Sequence, residues 1–316
     1  MNALSLFQRH LYSSPSVLTQ LNVQALDGWI ASPKQLVLRD TFNTERVSDL
    51  LYTLPTRDGT RKPYREPHLS APLGYGWHLA FFHPRAPESQ LRPDGTDAVE
   101  FCPPEPFTRR MWAGGHMSWN SKNPLRVGEM ATSTSTFDSV QKKGFDKGTP
   151  MVFVTQKIEI TMIGKKEPSV VEERSHVYVA ESISPNNAPR EVKDIPSTAH
   201  FSFTFTPSLT TLFRFSALMF NAHLIHLDKD WAQLQRGYPE RLVHGPLTAL
   251  MLLETIMFHD HTTKIKHFEY RARNPIIVNR SMTINGAYND DHSGVTVWCV
   301  DEEGVVGMTG HVKLGY

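Results

Sequence analysis

The stretch that decides the fold is GPLTALMLLETIMF, residues 245–258. Pro246 stands in the first turn of the predicted helix, where the N–H that proline lacks would have no helical partner. Leucine, methionine, isoleucine and phenylalanine recur at helical spacing, but they also fall on the other faces, so the helix is apolar almost all round. A helix of this kind must be buried on every side. A sheet wrapped around it is the simplest way to bury it.

Strands are predicted on both sides of this helix. Before it, residues 200–205 read HFSFTF and alternate between polar and apolar side chains, which is typical of a half-buried strand. A short helical patch is predicted at 231–235. After the long helix, further strands are predicted at 265–272, 280–288, 294–300 and 305–314. This order predicts an antiparallel sheet wrapped around one helix.

The first half of the chain shows a similar succession of strands without an equally apolar helix. Its strands are predicted at 111–119, 126–137, 151–161 and 170–179. A segment rich in proline and asparagine follows and predicts an exposed linker. We therefore divide the chain into a targeting segment (1–28), an amino-terminal half (29–180), a linker (181–198) and a carboxy-terminal half (199–316).

The composition argues against several classes of protein. The 316 residues include 33 Lys+Arg against 32 Asp+Glu, and this balance argues against a nucleic-acid partner. The longest apolar stretch is interrupted by threonine and glutamate and is too short to span a membrane. Cys102 and Cys299 lie almost two hundred residues apart, so we expect two unpaired thiols rather than a disulfide or a zinc site.

The first sixteen residues bear on location. They contain no acidic residue, one arginine and several serines, and a helix would place Leu4, Phe7 and Leu11 on one side. This composition is typical of a mitochondrial targeting segment. The alternative is an ordinary polar amino terminus on a cytoplasmic protein.

Residues 212–228 hold the densest group of side chains suited to chemistry. Asn221, His223, His226 and Asp228 fall within eight residues, and the start of the long helix follows about twenty residues later. A histidine can move a proton near neutral pH, and the N–H groups at a helix start stabilise negative charge on an oxygen. A structural role for the histidine and loop capping by Asn221 are the alternatives. The two histidines lack a third ligand, so no metal site is predicted.

These residues resemble a known family. Residues 213–228 and the later HGPLT (244–248) resemble the MaoC-type dehydratase/hydratase family, and in particular its double-hotdog group of type 2 hydroxyacyl-thioester dehydratases and mesaconyl-C4-CoA hydratases. The first half agrees in GWHLAFF (76–82), PFTRRMWAGG (106–115) and PLRVGE (124–129). The resemblance implies an α+β double hotdog, in which each sheet wraps around a helix and the first helix is degenerate. It also implies a hydro-lyase that needs no cofactor and acts on acyl thioesters of CoA or acyl carrier protein.

The family's motif assigns roles residue by residue. Its catalytic histidine falls on His226, its trailing acid on Asp228 and its asparagine on His223. Its aspartate falls on Asn221, which is a departure because a carboxamide cannot accept a proton at neutral pH. We therefore expect His226 to move the proton alone and Asn221 to orient the 3-hydroxyl group or the attacking water. The N–H of Gly245 would polarise the thioester carbonyl.

Other residues are predicted to support this set. His223, Asp228 and His244 are expected to order the site, and Arg214, Ser216 and Trp112 to contact the substrate. A structural ion pair is the alternative for Arg214, and strand packing is the alternative for Trp112.

Three functions remain open at this point. The first is dehydration of (3R)-3-hydroxyacyl thioesters, as in fatty-acid synthesis. The second is hydration of a short branched or dicarboxylic enoyl-CoA such as mesaconyl-C4-CoA, and the third is a non-catalytic acyl-thioester-binding subunit, which Asn221 makes plausible. A cationic group in the cavity would favour the dicarboxylate, whereas an open apolar tunnel would favour long acyl chains. A homodimer is the expected assembly.

Overall fold

Ten strands form one antiparallel sheet in the computed structural model, which describes residues 23–97, 101–180 and 188–315. The strands are β1 Gln35–Thr41, β2 Arg109–Trp119, β3 Met130–Lys143, β4 Met151–Met162, β5 Val170–Val179, β6 Phe201–Phe205, β7 Ile265–Ala272, β8 Met282–Tyr288, β9 Gly294–Asp301 and β10 Val306–Leu314. The helices are α1 Val23–Ala31, α2 Thr44–Thr53, α3 Leu209–Leu218, α4 Leu224–Leu227 and α5 Gly245–His259. Short 3-10 helices at Trp77–Ala80 and Glu88–Gln90 and a π-helix at Trp231–Gln235 complete the secondary structure of the described residues.

The strand order contains the same unit twice. One half of the sheet runs β1-β3-β4-β5-β2, and the other, read from its outer edge, runs β6-β8-β9-β10-β7. The two halves join where β2 pairs with β7, from Gly114 opposite Arg271 to Ser118 opposite His267. This duplication confirms the predicted α+β double hotdog.

The second half contains the predicted central helix. The side chains of α5 are buried from Pro246 to Ile256, and the helix contacts β6, β8, β9 and β10. The charged Glu254 within it accepts hydrogen bonds from Arg57, Thr56 and Trp77. The central helix is thus held by the apolar face of its own sheet and by polar groups of the other half.

The first half has only four residues of helix at the corresponding place. The 3-10 helix Trp77–Ala80 follows Gly76, whose φ of 78° is in the left-handed region. A side chain at position 76 would place its Cβ 2.9 Å from Leu253 of α5, so this approach requires glycine. A cavity of about 1120 Å³ lies against the remaining concave face and is lined by residues from all five strands of this half. The degenerate helix was predicted, and the cavity is its consequence.

The predicted boundary at residue 28 falls inside a helix. Residues 1–22 of the predicted targeting segment lie outside the described residues. Helix α1 begins at Val23, buries Leu26 and places Trp29 edge-on to Phe137 at 5.0 Å between ring centroids. Residues 23–28 therefore pack with the first half. In the predicted linker, residues 188–198 form neither helix nor strand, and 181–187 are not described.

Two further observations concern the cysteines and the length of the helices. Cys102 and Cys299 are free and buried. In the part of the chain that the structure describes, the helices are too short or too polar to cross a bilayer.

Candidate active site

The cavity lies between the concave face of the first half and the segment that leads into α5 in the second half. The second half contributes residues between 219 and 248, part of β7 and the segment after it (269–276), and part of β10. Of the sequence-predicted site residues, the structure brings six to this cavity: Trp112, Asn221, His223, His226, His244 and Gly245.

His226 is positioned by the short helix α4. Its Nδ1 lies 2.8 Å from the carbonyl oxygen of Leu242, which can only accept, so Nδ1 carries the proton and Nε2 keeps a free lone pair. Burial lowers the pKa of His226 to about 4; the hydrogen bond to Leu242 opposes this effect and the charge of Arg110 adds to it. The imidazole is therefore neutral at pH 7 and can accept a proton at Nε2.

His244 connects this imidazole to the start of α5. Its ring stacks on that of His226 with 3.7 Å between centroids. Its Nε2 lies 2.8 Å from Oγ of Ser216, and burial lowers its pKa well below the ordinary value. His244 is the cap residue of α5, so the stacked rings hold His226 beside the first turn of that helix.

Gly245 is the first residue of α5. Among the described residues its N–H has no recorded acceptor, as is usual for a first-turn N–H group. The Cβ of any other residue at this position would lie 2.8 Å from the Trp112 ring, so Trp112 packs directly on the glycine. The free N–H, at the positive end of the helix dipole, can stabilise charge on a carbonyl oxygen.

Asn221 and His223 form the loop before α4. The Asn221 Oδ1 accepts the backbone N–H of His223 at 2.9 Å, so the carboxamide caps the loop and its Nδ2 is left as a donor. His223 Nε2 lies 3.7 Å from Oδ2 of Asp94, a cavity residue of the first half. The backbone carbonyl of Asp94 also accepts the N–H of Leu224 at 2.8 Å. A first-half loop therefore contacts the segment that carries Asn221 and His223, through the backbone carbonyl of Asp94.

Comparison with known proteins places the chain in a family. The family model described as "Hydroxyacyl-thioester dehydratase type 2" matches residues 76–278, which is more than half of the chain. The chain belongs to the hydroxyacyl-thioester dehydratase type 2 family. It is 33% identical over 277 residues to mesaconyl-C(4)-CoA hydratase of Chloroflexus aurantiacus, covering 86% of this chain and 95% of that protein. It is 28% identical over 234 residues to the mitochondrial hydroxyacyl-thioester dehydratase type 2 of Schizosaccharomyces pombe, covering 66% of this chain and 76% of that protein.

The solved structures agree on the fold. A MaoC-like dehydratase from Phytophthora capsici superposes with a TM-score of 0.65 at 13% sequence identity, covering 92% of this chain and 97% of that one. At this identity the likeness supports the double-hotdog architecture alone.

Three predicted residues of this family member lie outside the cavity. Arg214 is exposed on α3, and its Nη1 lies 3.4 Å from the carbonyl oxygen of Tyr52. Asp228 is exposed, and its Oδ1 accepts the N–H of Trp231 at 2.9 Å. Ser216 is buried behind His244. Arg214 and Ser216 therefore do not line the cavity, and their substrate contacts stay predictions. Asp228 serves as an acceptor at the start of the π-helix.

The cavity wall is more cationic than the sequence analysis indicated. The described lining residues include eight arginines and lysines and five acidic residues. Arg174 forms two hydrogen bonds with Glu172, at 2.6 and 2.9 Å, and Glu172 also contacts His78 at 3.2 Å. Burial alone would raise the pKa of Glu172, but Arg174 and His78 together lower it to about 2. In the described residues, groups of three or more His, Cys, Asp or Glu with the spacing of a metal site are absent.

Proposed function

We propose that this chain catalyses the reversible addition of water across the C2–C3 bond of a 2-enoyl thioester, as a hydro-lyase. One observation carries the proposal: a neutral imidazole with a free Nε2 and an unbonded helix-start N–H line the same cavity side by side. Removal of the C2 proton of a thioester builds negative charge on the carbonyl oxygen. A base and an oxyanion donor are the two groups that this reaction requires.

The dehydration direction assigns each group a step. Nε2 of His226 takes the C2 proton, and the electron pair moves onto the thioester oxygen, where the N–H of Gly245 stabilises it. As the pair returns to form the C2–C3 double bond, the C3–O bond breaks, and the imidazolium gives its proton to the departing hydroxyl to form water. An imidazole with a pKa of about 4 is a weak base but its conjugate acid is strong, which suits protonation of a poor leaving group.

Asn221 completes this scheme as an orienting residue. Its Oδ1 is occupied by the His223 N–H, which leaves the amide Nδ2 to donate to the 3-hydroxyl oxygen or to the attacking water. The backbone carbonyl of Asp94 accepts the N–H of Leu224 and holds the loop on which both side chains stand. His226 alone therefore moves the proton.

The substrate is an acyl thioester of CoA or acyl carrier protein. Dehydration of (3R)-3-hydroxyacyl thioesters is one candidate, in line with the name of the Schizosaccharomyces pombe relative. The cationic wall favours the second candidate, hydration of a short dicarboxylic enoyl-CoA, in line with the name of the Chloroflexus aurantiacus relative.

Location and assembly remain predictions. The mitochondrial name of the Schizosaccharomyces pombe relative supports a mitochondrial location for this chain. Import of the full-length chain into isolated mitochondria, followed by amino-terminal sequencing of the product, tests it. A homodimer is tested by the mass of the purified protein in solution.

The function is tested by hydration of crotonyl-CoA, followed by loss of the enoyl-thioester absorbance. We expect wild-type activity, and a decrease in kcat of about 10²–10⁴-fold in His226→Ala. His311→Ala is the control, because this exposed histidine of β10 lies outside the cavity. Equal activity of wild type and His226→Ala would refute the mechanism. A wild type that binds acyl-CoA but hydrates none of a panel of enoyl-CoA substrates would be a binding subunit.

A further inference from the structure

The first-half wall of the cavity carries polar side chains at the positions nearest the proposed reaction centre. On β2 and β5, Arg110 lies opposite Tyr178, and Trp112 lies opposite His176. In the second half, the corresponding face is covered by the apolar helix α5. Apolar residues such as Phe81 and Phe153 also line the cavity, and the charged and polar groups among them can bind a polar group on the acyl chain.

Arg110 is a cation of this wall that hydrogen-bonds to the side chain of Tyr178 and keeps further N–H donors of its guanidinium for a ligand. Arg174 is engaged by Glu172, whereas no carboxylate of the described residues lies within 4.0 Å of the Arg110 guanidinium. Asp94 and Asp97 are its acidic neighbours at longer range. Oδ1 of Asp94 already accepts from Thr96, and burial raises the pKa of Asp97. Arg110 is partly exposed, and it lines the cavity.

A second group beside Arg110 lacks a partner. His176 is 92% buried, and its Nδ1 has no hydrogen-bond partner among the described residues. A buried polar atom without a partner is costly, and its occurrence at a cavity wall indicates a polar ligand. The charge of Arg110 contributes, after burial, to keeping this imidazole neutral, so the two groups are electrostatic neighbours.

The position of this pair limits the length of the ligand. The Trp112 ring lies 5.3 Å from the His176 ring and packs on Gly245, so it connects the pair with the proposed oxyanion donor. Arg110 also lies within electrostatic range of His223 and His226. A group bound at Arg110 therefore lies in the same part of the cavity as the proposed reaction centre, as a short acyl chain requires.

We propose that Arg110, with His176 beside it, forms a subsite for a carboxylate on the acyl chain, and that this subsite selects monothioesters of short dicarboxylic acids. The inference rests on the proposed function, because it places the subsite relative to His226 and Gly245. Arginine suits this task because its planar fork matches a carboxylate and keeps its charge at every physiological pH.

The test compares two CoA thioesters of equal chain length. One is crotonyl-CoA, and the other is the monothioester of an unsaturated four-carbon dicarboxylic acid. We expect wild type to have the higher kcat/KM on the dicarboxylic substrate. Arg110→Met should lower that value about 100-fold, mainly through KM, and change kcat/KM on crotonyl-CoA by less than about threefold. Arg110→Lys should retain part of the preference, because it keeps the charge without the fork.

The control is Arg39→Met, which removes an exposed arginine of β1 that does not line the cavity. It should leave both kcat/KM values unchanged. Melting temperatures of all variants establish folding, and if Arg110→Met does not fold, Arg110→Lys carries the test through its loss of preference.

Two results would refute the proposed subsite. One is a higher wild-type kcat/KM on crotonyl-CoA than on the dicarboxylic substrate, and the other is an equal decrease in kcat/KM on both substrates in the Arg110 variants. Either result leaves the proposed function intact as long as crotonyl-CoA is hydrated in a His226-dependent manner. A wild type inactive on both substrates would instead contradict the proposed function.

Discussion

The two halves of the molecule share one strand order but use their concave faces differently. In the second half, α5 fills the face with ten or more buried positions. In the first half, four residues of 3-10 helix occupy the corresponding place, and a cavity of about 1120 Å³ lies against the sheet. The comparison teaches that shortening one central helix of a duplicated fold creates a substrate cavity. The intact helix contributes its amino terminus to the same cavity.

The largest expected effect is on stability and concerns the contacts of Glu254 between the two halves. Glu254 of α5 is 1% exposed and accepts hydrogen bonds from Arg57 and Trp77 of the first half. Glu254→Ala leaves these donors without their acceptor, and it should lower the free energy of unfolding by about 3–5 kcal/mol. Urea unfolding measures the change. Glu303→Ala, which removes an exposed partner of Arg280, should cost at most about 1 kcal/mol. A loss in free energy of unfolding for Glu254→Ala as small as that for Glu303→Ala would show that the Glu254 contacts between the halves contribute little to stability.

The second prediction concerns pH and the histidines of the second half. The pKa of His226 is about 4 in the folded protein, against about 6.5 in an unfolded chain. Because the imidazole is neutral above pH 4, the acid limb of kcat/KM for crotonyl-CoA should lie near pH 4 rather than 6.5. Over the same interval the unfolded chain binds the proton first, so stability should fall as the pH is lowered from about 6.5 to 4. An acid limb at 6.5 in the folded protein would contradict the buried, neutral imidazole.

A third prediction adds the same kind of side chain to each half. Ala249 is fully buried in α5, whereas Ser135 of β3 lines the cavity. Ala249→Leu should destabilise the protein by about 1–3 kcal/mol through overpacking. Ser135 is itself 7% exposed, but it lines the cavity, so Ser135→Leu has space to expand into and should destabilise the protein less than Ala249→Leu and raise KM instead. Thermal unfolding and crotonyl-CoA kinetics separate the two, and comparable destabilisation at both positions would deny that the first half is open.

The smallest expected effect is at Asp228, which the family motif selects and the structure places outside the cavity. Asp228→Ala removes the side-chain acceptor of the Trp231 N–H and should cost about 1 kcal/mol. Its kcat/KM should stay within about twofold of wild type. A loss of activity comparable to that of His226→Ala would show that Asp228 takes part in catalysis.

The sequence predicted the second half better than the first for a physical reason. The helix at 245–258 and the strands after it bury apolar side chains with a regular period, and their bounds agree with α5 and β7–β10 to within about two residues. Helix α3 was not predicted, although Ser208 and Thr211 form a capping box at its start. Its exposed face carries Phe213 and Leu209, so apolar residues are not confined to one face and the helical period is not visible in the sequence. Strand β1 and helices α1 and α2 also went unpredicted.

The site was predictable only where its residues are close in the sequence. Asn221, His223, His226 and Gly245 lie within 25 residues and meet at the cavity as expected. Asp94 reaches the loop from a stretch rich in proline and glycine more than a hundred residues away, and no local pattern indicates this contact. Arg214 lies outside the cavity because the turn of α3 that carries it faces solvent.

The most direct test of the central claim is a crystal structure of His226→Ala bound to an enoyl-CoA. The account predicts the thioester oxygen about 3 Å from the backbone N of Gly245. C2 should face the space vacated by the imidazole, and the acyl chain should lie against the first-half wall at Trp112. A thioester bound away from Gly245, or an acyl chain that leaves the first-half cavity empty, would contradict it.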